Sequence, residues 1–283
     1  LGFKLSEEEA AIRYYREMAA PHLIPFPTRE QPKAADPLPE GLEVWDIGSP
    51  LDEVDWQGST MLNPAIIPGF TTMRRVMGTS EGELPEKLPI DLDLYVDSSG
   101  SMPDPRHQIS YLTLAGTIIA LSALRVGARV QATLWSGKRE FLKTDGFVRD
   151  GTEIMKVLVG FFGGATAFPV HILRDTYLDR KPNDRKVHIM VISDDGVDTM
   201  LDNDEKGNSG AVIAAEALKK GGAGGSLVLN LYGGTIRNPK IKKLGEQGWN
   251  LYPISDWPSL TQFARDFSRA VYAAESGSKL LKR

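Results

Sequence analysis

Cysteine is absent from all 283 residues, which excludes disulfides, thiolate zinc sites and cysteine nucleophiles. Long apolar runs are missing as well. The longest, Thr117 to Leu124, falls far short of the ~20 residues that cross a bilayer as a helix, so no membrane partner is expected. There is no basic excess: Lys and Arg total 33 against 37 for Asp and Glu, a formal net charge of -4, which argues against a general nucleic-acid binder. The four histidines, His22, His107, His171 and His188, form neither an H-E-x-x-H motif nor a zinc-spaced pair. The glycine runs at 221–225 and 233–234 lack the G-K-[ST] of a nucleotide loop and read as turns at helix and strand ends. No N-terminal signal sequence is visible, and a cytoplasmic location is the expectation, although a chain that opens at Leu1 can be part of a longer one.

What is present divides near residue 88. Ser6-Glu7-Glu8-Glu9 is a capping box that predicts a helix to about Ala20. Pro21, Pro25, Pro27, Pro32, Pro37 and Pro39 then predict an extended connection that leaves this helix loosely anchored. From Gly41 to Pro89 the pattern is irregular, with Trp45, Trp56 and Phe70 among turn residues. These rings are too apolar to leave in water, so the segment is expected to pack along the main domain, with a partner-docking surface as the alternative. A main domain over 89–275 and a basic tail over 276–283 complete the organisation.

The main domain reads as alternating strands and helices. Strands are predicted at Ile90–Val96, Val130–Trp135, Val187–Ile192, Leu227–Tyr232 and Leu251–Ile254, with a short one at Glu140–Lys143. Helical spacing covers Gln108–Val126, Ile154–Phe162, Ile172–Tyr177, Gly210–Lys220, Lys240–Gln247 and Leu260–Val271. This implies an α/β fold: a doubly wound, mostly parallel sheet of about six strands with one short antiparallel edge strand.

Open α/β sheets place their sites at the C-terminal ends of strands. Three loops there carry small oxygen-bearing side chains. Asp97-Ser98-Ser99-Gly100-Ser101 follows the first strand. Gly163-Gly164-Ala165-Thr166 lies between two helices. Ser193-Asp194-Asp195-Gly196 follows the strand ending at Ile192. Asp97, Ser99 and Ser101 recur at every second position of a tight turn, so their oxygens can converge, and Thr166 with an aspartate of the third loop can complete the set. An all-oxygen cage suits Mg²⁺, with Mn²⁺ and Ca²⁺ as competitors. Its neutral hydroxyls leave part of the ion's charge unquenched, so a carboxylate from outside is an attractive further ligand. The plainer alternatives are an Asx-turn capping the next helix for the first loop and a helix N-cap for Thr166.

Val96-Asp97-Ser98-Ser99-Gly100-Ser101-Met102 resembles the D-x-S-x-S signature of von Willebrand factor A domains, the metal-ion-dependent adhesion site. Gly163-Gly164-Ala165-Thr166 resembles that family's second loop, and Ile192-Ser193-Asp194-Asp195-Gly196 its strand-plus-T-D-G third loop. The resemblance runs from about Leu88 to Ala274. It implies a Rossmann-like fold and a protein–protein interaction in which a bound cation grips an acidic side chain of a partner. The family has one aspartate before the glycine where this chain has two. Asp194, after Ser193 at the usual threonine position, is the favoured ligand, and Asp195 is the alternative. The stretches Trp45-Asp46-Ile47-Gly48-Ser49-Pro50-Leu51, Asp55-Trp56 and 67–72 also resemble the region before the A domain in bacterial CoxE-like proteins, which partner MoxR-type AAA+ ATPases and imply an adaptor role.

Rival readings are a metal-dependent hydrolase using the same cage and a metal-free scaffold. No nucleophile or general base of the usual kinds is placed around the loops, which counts against the hydrolase. Asp91-Leu92-Asp93 resembles the start of haloacid-dehalogenase phosphatases, but the apolar strand runs on beyond it to Val96. The acidic run Asp198, Asp202, Asp204 and Glu205 has no EF-hand spacing and reads as a solvated loop.

Overall fold

The computed structural model describes residues 5–24, 26, 28–31, 37–79, 86–181, 184–230, 237–256, 259, 262, 263, 266 and 267, with the backbone alone at 29–31, 37–40, 77–79, 86–88 and 195. In chain order the elements begin with α1 (Glu7–Ala19), β1 (Thr28–Gln31), β2 (Pro37–Val44), α2 (Trp56–Leu62), β3 (Met73–Thr79) and β4 (Glu86–Pro89). They continue with β5 (Asp91–Asp97), α3 (Tyr111–Arg125), β6 (Val130–Gly137), β7 (Glu140–Lys143), α4 (Gly151–Leu158) and α5 (Val170–Leu178). The last are β8 (Val187–Ser193), α6 (Gly210–Gly221), β9 (Gly222–Asn230), α7 (Pro239–Glu246) and β10 (Trp249–Ile254). The contacts divide the chain into two units, Leu1–Arg29 with Pro89–Arg283, and Glu30–Leu88.

The larger unit is the expected α/β fold. Its sheet has six strands in the order β10-β9-β8-β5-β6-β7, all parallel except the antiparallel edge strand β7. β5, β6 and β8 are buried throughout because helices cover both faces, as their nearly unbroken apolar runs require. Alternation along β5 sends Leu92, Leu94 and Val96 into a core shared with α3 and α4, and Tyr95 into one shared with α5, α6 and α7. β9 starts earlier than its apolar run suggests. Gly222 closes α6 in a left-handed cap and then opens the strand, and Gly225 lets Trp249 and Leu218 come within 2.7 and 2.5 Å of where a Cβ would stand. These glycines are therefore not turn glycines alone. Gly233 and Gly234 lie outside the described residues, and so does most of the predicted last helix, although Phe263 and Phe267 are buried.

The N-terminal helix departs from expectation. The Ser6–Glu9 capping box forms at its start. Its body is not loosely held, because Ala11, Ile12, Tyr15 and Ala19 are buried in the core beside α3 and α4. A capping box reports only the local start of a helix, whereas the i, i+4 pair of Ala11 and Tyr15 supplies the anchoring face. Tyr15 adds direction: its hydroxyl donates to Gln108 O (3.2 Å) and accepts from the N–H of Ser110 (2.9 Å), the N-cap of α3. Tyr15→Phe is expected to cost about 1–3 kcal/mol, since a buried N–H loses its partner. A urea midpoint unchanged from the parent would show that water replaces the hydroxyl.

The smaller unit is more regular than its sequence suggests. β2 and β3 pair antiparallel with a register shift between Pro39 and Gly41, where proline cannot donate to the ladder. Ser59 of α2 accepts from the N–H of Met73 and donates to Asp55 O, both at 2.7 Å, and so ties α2 to β3. Trp45 is 5% exposed and its indole N–H donates to Pro50 O (3.2 Å). Trp56 and Phe70 are not buried as expected, and remain 53% and 76% exposed.

Candidate functional site

Parallel pairing of β5 with β6 and β8 brings the loops after β5 and β8 out at the same edge of the sheet. Val96 lies beside Ile192, so Asp97 and Ser193 leave their strands side by side. The second loop reaches this edge by backbone bonds: the N–H of Gly100 donates to Gly164 O, and that of Gly163 to Ser98 O, both at 2.9 Å. Ser98 turns away from the edge, accepting from the N–H of Phe162 (2.7 Å), and so holds the first two loops together.

Four of the five favoured oxygen-bearing residues join one hydrogen-bonded chain. The N–H of Ser99 donates to Asp97 Oδ1 (2.8 Å), and the Ser99 and Ser101 hydroxyls lie 3.1 Å apart. Ser101 donates to Asp194 Oδ2 (2.7 Å), and Asp194 Oδ1 accepts from the N–H of Gly196 (2.8 Å), capping the 3₁₀ helix Asp195–Leu201. Thr166 is the fifth. It rests on the third loop, its Cγ2 only 2.3 Å from where a Cβ on Gly196 would stand, and its hydroxyl makes no hydrogen bond among the described residues. The side chain of Asp195 lies outside the described residues.

Asp97 is 4% exposed and Ser99 wholly buried, while Ser101 faces solvent. Burial raises the Asp97 carboxyl to about 6. Hydrogen bonds from Ser193 and Ser99 oppose that rise, and the charge of Asp194 adds to it. The set is all oxygen, two carboxylates and three hydroxyls, with one carboxylate held in a poorly solvated place and one hydroxyl unpartnered. That chemistry fits a hard divalent cation. Among the described residues no group of three or more His, Asp or Glu comes together as a metal cluster, and three of the five candidates are hydroxyls.

Some participants are not visible from sequence. Ser193 donates to Asp97 Oδ2 (2.5 Å) and fixes its second oxygen. The sequence places Ser193 in the third loop, at the usual threonine position before Asp194, but gives no sign of this bond to Asp97. Ser136 donates to Ala165 O (2.8 Å), and the Glu140 carboxylate lies 2.5 Å from where a Cβ on Gly164 would stand. Both come from the β6–β7 hairpin, which no motif connects to the loops. Other residues go elsewhere. Asp91 pairs with Arg129 (2.7 Å) and Arg185 (3.2 Å), while Asp93 accepts from Tyr177 and Gln131, both at 3.1 Å. His107 is exposed near Asp104 and Glu7. The acidic run is not a merely solvated loop: Asp204 is buried and bound by Arg174 and Asn208, and Asp198 and Asp202 face Lys240.

Gly196→Ala is expected to lower divalent-cation affinity about 10- to 100-fold although it removes no ligand, because the new methyl displaces Thr166. Calorimetry on a variant that keeps its far-UV spectrum checks this, and unchanged affinity would remove Thr166 from the site.

The chain thus presents a doubly wound α/β sheet with an oxygen-rich cluster of three loops at one edge. No protein-family model matches it, and a search of curated proteins found no relative. Among solved structures it is similar to the pilus adhesin SpaC of Lactobacillus rhamnosus GG, with 13% identity, 65% of this chain and 30% of that one covered, and a TM-score of 0.44. It is also similar to the vWF domain of the type V pili tip protein Mfa5 of Porphyromonas gingivalis, with 16% identity, 38% of each chain covered and a TM-score of 0.31. A third is an aerotolerance-related membrane protein of Bacteroides fragilis, with 14% identity, 65% of this chain and 99% of that one covered, and a TM-score of 0.42. The chain thus spans well under half of the two pilus structures. Among the described residues no helix is long and apolar enough to cross a membrane.

Proposed function

We propose that this chain is a von Willebrand factor A-type interaction module. In this reading Asp97, Ser99, Ser101, Thr166 and Asp194 hold one divalent cation, Mg²⁺ or Mn²⁺, some directly and some through water. The observation that carries the reading is the pair of bonds between the first and third loops, Ser101 to Asp194 and Ser193 to Asp97, beside a Thr166 hydroxyl with no partner among the described residues. A cation bound there supplies a Lewis-acidic position for a carboxylate oxygen of a partner protein. The chain's own residues do the rest. Ser193 and the N–H of Ser99 fix both oxygens of Asp97, and Gly196 leaves room for Thr166. The proposed role is binding without catalysis, as an adaptor for a MoxR-type AAA+ ATPase in the cytoplasm.

Calorimetric titration with Mg²⁺ and Mn²⁺ tests the site, and partner capture with and without a chelator tests the adhesion. No heat of binding with either ion would leave a metal-free scaffold, and turnover in a phosphatase or esterase screen would favour the hydrolase. Within the third loop, Asp194→Ala is expected to weaken cation binding more than Asp195→Ala, because Asp194 already receives the Ser101 hydroxyl. The opposite ranking would transfer the role to Asp195.

A further inference from the structure

A cavity of about 330 Å³ opens between the turn from β6 to β7, the start of α5 and the segment 199–205. It adjoins the proposed cation site. Ala167, which lines it, directly follows Thr166, and Thr199, which also lines it, donates to Gly196 O of the third loop (2.9 Å). The floor is apolar and rigid. Phe168 and Val170 are buried there, and the Phe168 ring is wedged against Tyr95 and Trp135, with centroids 5.2 and 5.4 Å away.

The walls differ in available charge. On one side each carboxylate already has a cation: Asp202 with Lys240 (3.2 Å), Glu205 with Arg174 (2.9 Å), and buried Asp204 with the same guanidinium. On the other side Lys138 and Arg139 are exposed and form no ion pair among the described residues. A cationic ligand would find its carboxylates taken, whereas an anionic one meets two free positive charges. The volume is at the low end for ligand pockets and suits one side chain better than a large cofactor.

We propose that this cavity is a second subsite for the segment whose carboxylate reaches the metal loops. It takes an apolar side chain over Phe168 and Val170, and a second carboxylate of the same segment against Lys138 and Arg139. The partner is therefore an acidic peptide with an apolar residue between its acids. The inference rests on the adhesion reading above. The long, flexible Lys138 and Arg139 side chains sit at the rim, so their contribution is to selectivity and is screened by salt.

The test uses two short blocked peptides, Asp-Leu-Glu and Asp-Leu-Gln, titrated into the full chain with Mg²⁺ and followed by NMR. The first is expected to bind about three- to tenfold more tightly at low ionic strength. This advantage should vanish in a Lys138→Gln, Arg139→Gln double variant whose Mg²⁺ affinity by calorimetry equals that of the parent. Equal affinities for the two peptides in the parent would overturn the subsite, as would an advantage that survives in the double variant. An advantage that follows Lys138 and Arg139 but ignores a chelator would keep the subsite and overturn the metal grip. Failure of both peptides to bind would overturn both.

Discussion

Asp97→Ala is expected to abolish measurable Mg²⁺ binding. The loss should be at least about a hundredfold, the most that even outer-shell partners of a metal site usually contribute. Asp97 is the innermost acid of the cluster. It ends β5, lies on the ladder opposite Trp135, and is 4% exposed. The loop is therefore not the exposed, dispensable edge that a tight turn rich in serine suggests. Removing the carboxylate leaves the N–H of Ser99 and the hydroxyl of Ser193 without their acceptor, a cost of about 1–3 kcal/mol. Part of that cost is offset, because burial already holds the carboxyl at about 6. Asp97→Asn keeps an acceptor in place and should retain the parent's thermal midpoint more closely while still losing the ion. Parental metal affinity in either folded variant would sink the five-residue assignment.

A second large effect lies inside the sheet, away from the loops. Asp93 on β5 is wholly buried, and burial raises its carboxyl to about 7 even though Tyr177, Tyr95, Gln131 and the charge of Arg180 all act to lower it. Its folded value stands above its unfolded one. It therefore contributes stability that is fully present below about pH 4 and is lost as pH rises through about 7. His188 on β8 behaves in the opposite sense. Its Nδ1 lies 2.9 Å from Ala223 O and its Nε2 3.0 Å from Ser226 Oγ, and burial lowers it to about 4. It contributes stability that is present above about pH 6.5 and is lost as pH falls through about 4. Between those limits the two contributions have opposite slopes and largely cancel. Asp93→Asn should leave stability rising with pH across this window, and at about pH 8 it should exceed the parent by about 2 kcal/mol or more. His188→Gln should leave stability falling with pH. Urea midpoints taken from about pH 4.5 to 8 give the three curves, and parallel curves would mean that neither ionisation is linked to folding.

The larger unit was legible because its physics is local and repetitive. Runs such as Val187–Ile192 can be strands only if helices cover both faces, and the loop residues Asp97, Ser99 and Ser101 carry their spacing within five positions. What escaped depends on partners distant in sequence. Arg174 organises Asp204 and Glu205 from about thirty residues away, so the acidic run looks solvated when read by itself. Asp93 and His188 interrupt apolar strands, and alternation alone does not tell an outward-facing polar residue from one satisfied inside by Tyr177 or Ser226. In the smaller unit Pro37, Pro39 and Gly41 mask β2, because an edge strand with a register shift tolerates residues that a central strand does not. The packing of α1 rests on Tyr15 reaching residues more than ninety positions later, which no capping box reports.

The bond between Ser193 and Asp97 joins residues 96 positions apart. Such a contact is expected to form late, because a large loop must close before β8 can align beside β5. A chain emerging from the ribosome with β5, β6 and β7 complete still lacks the third loop, and has only part of an ion-binding set to offer. A divalent cation bound as proposed would then do little for the rate of folding and much for the lifetime of the folded state, since the proposed set is complete only once β8 lies beside β5. In kinetic terms, Mg²⁺ should move the unfolding limb of a chevron and leave the refolding limb where it is.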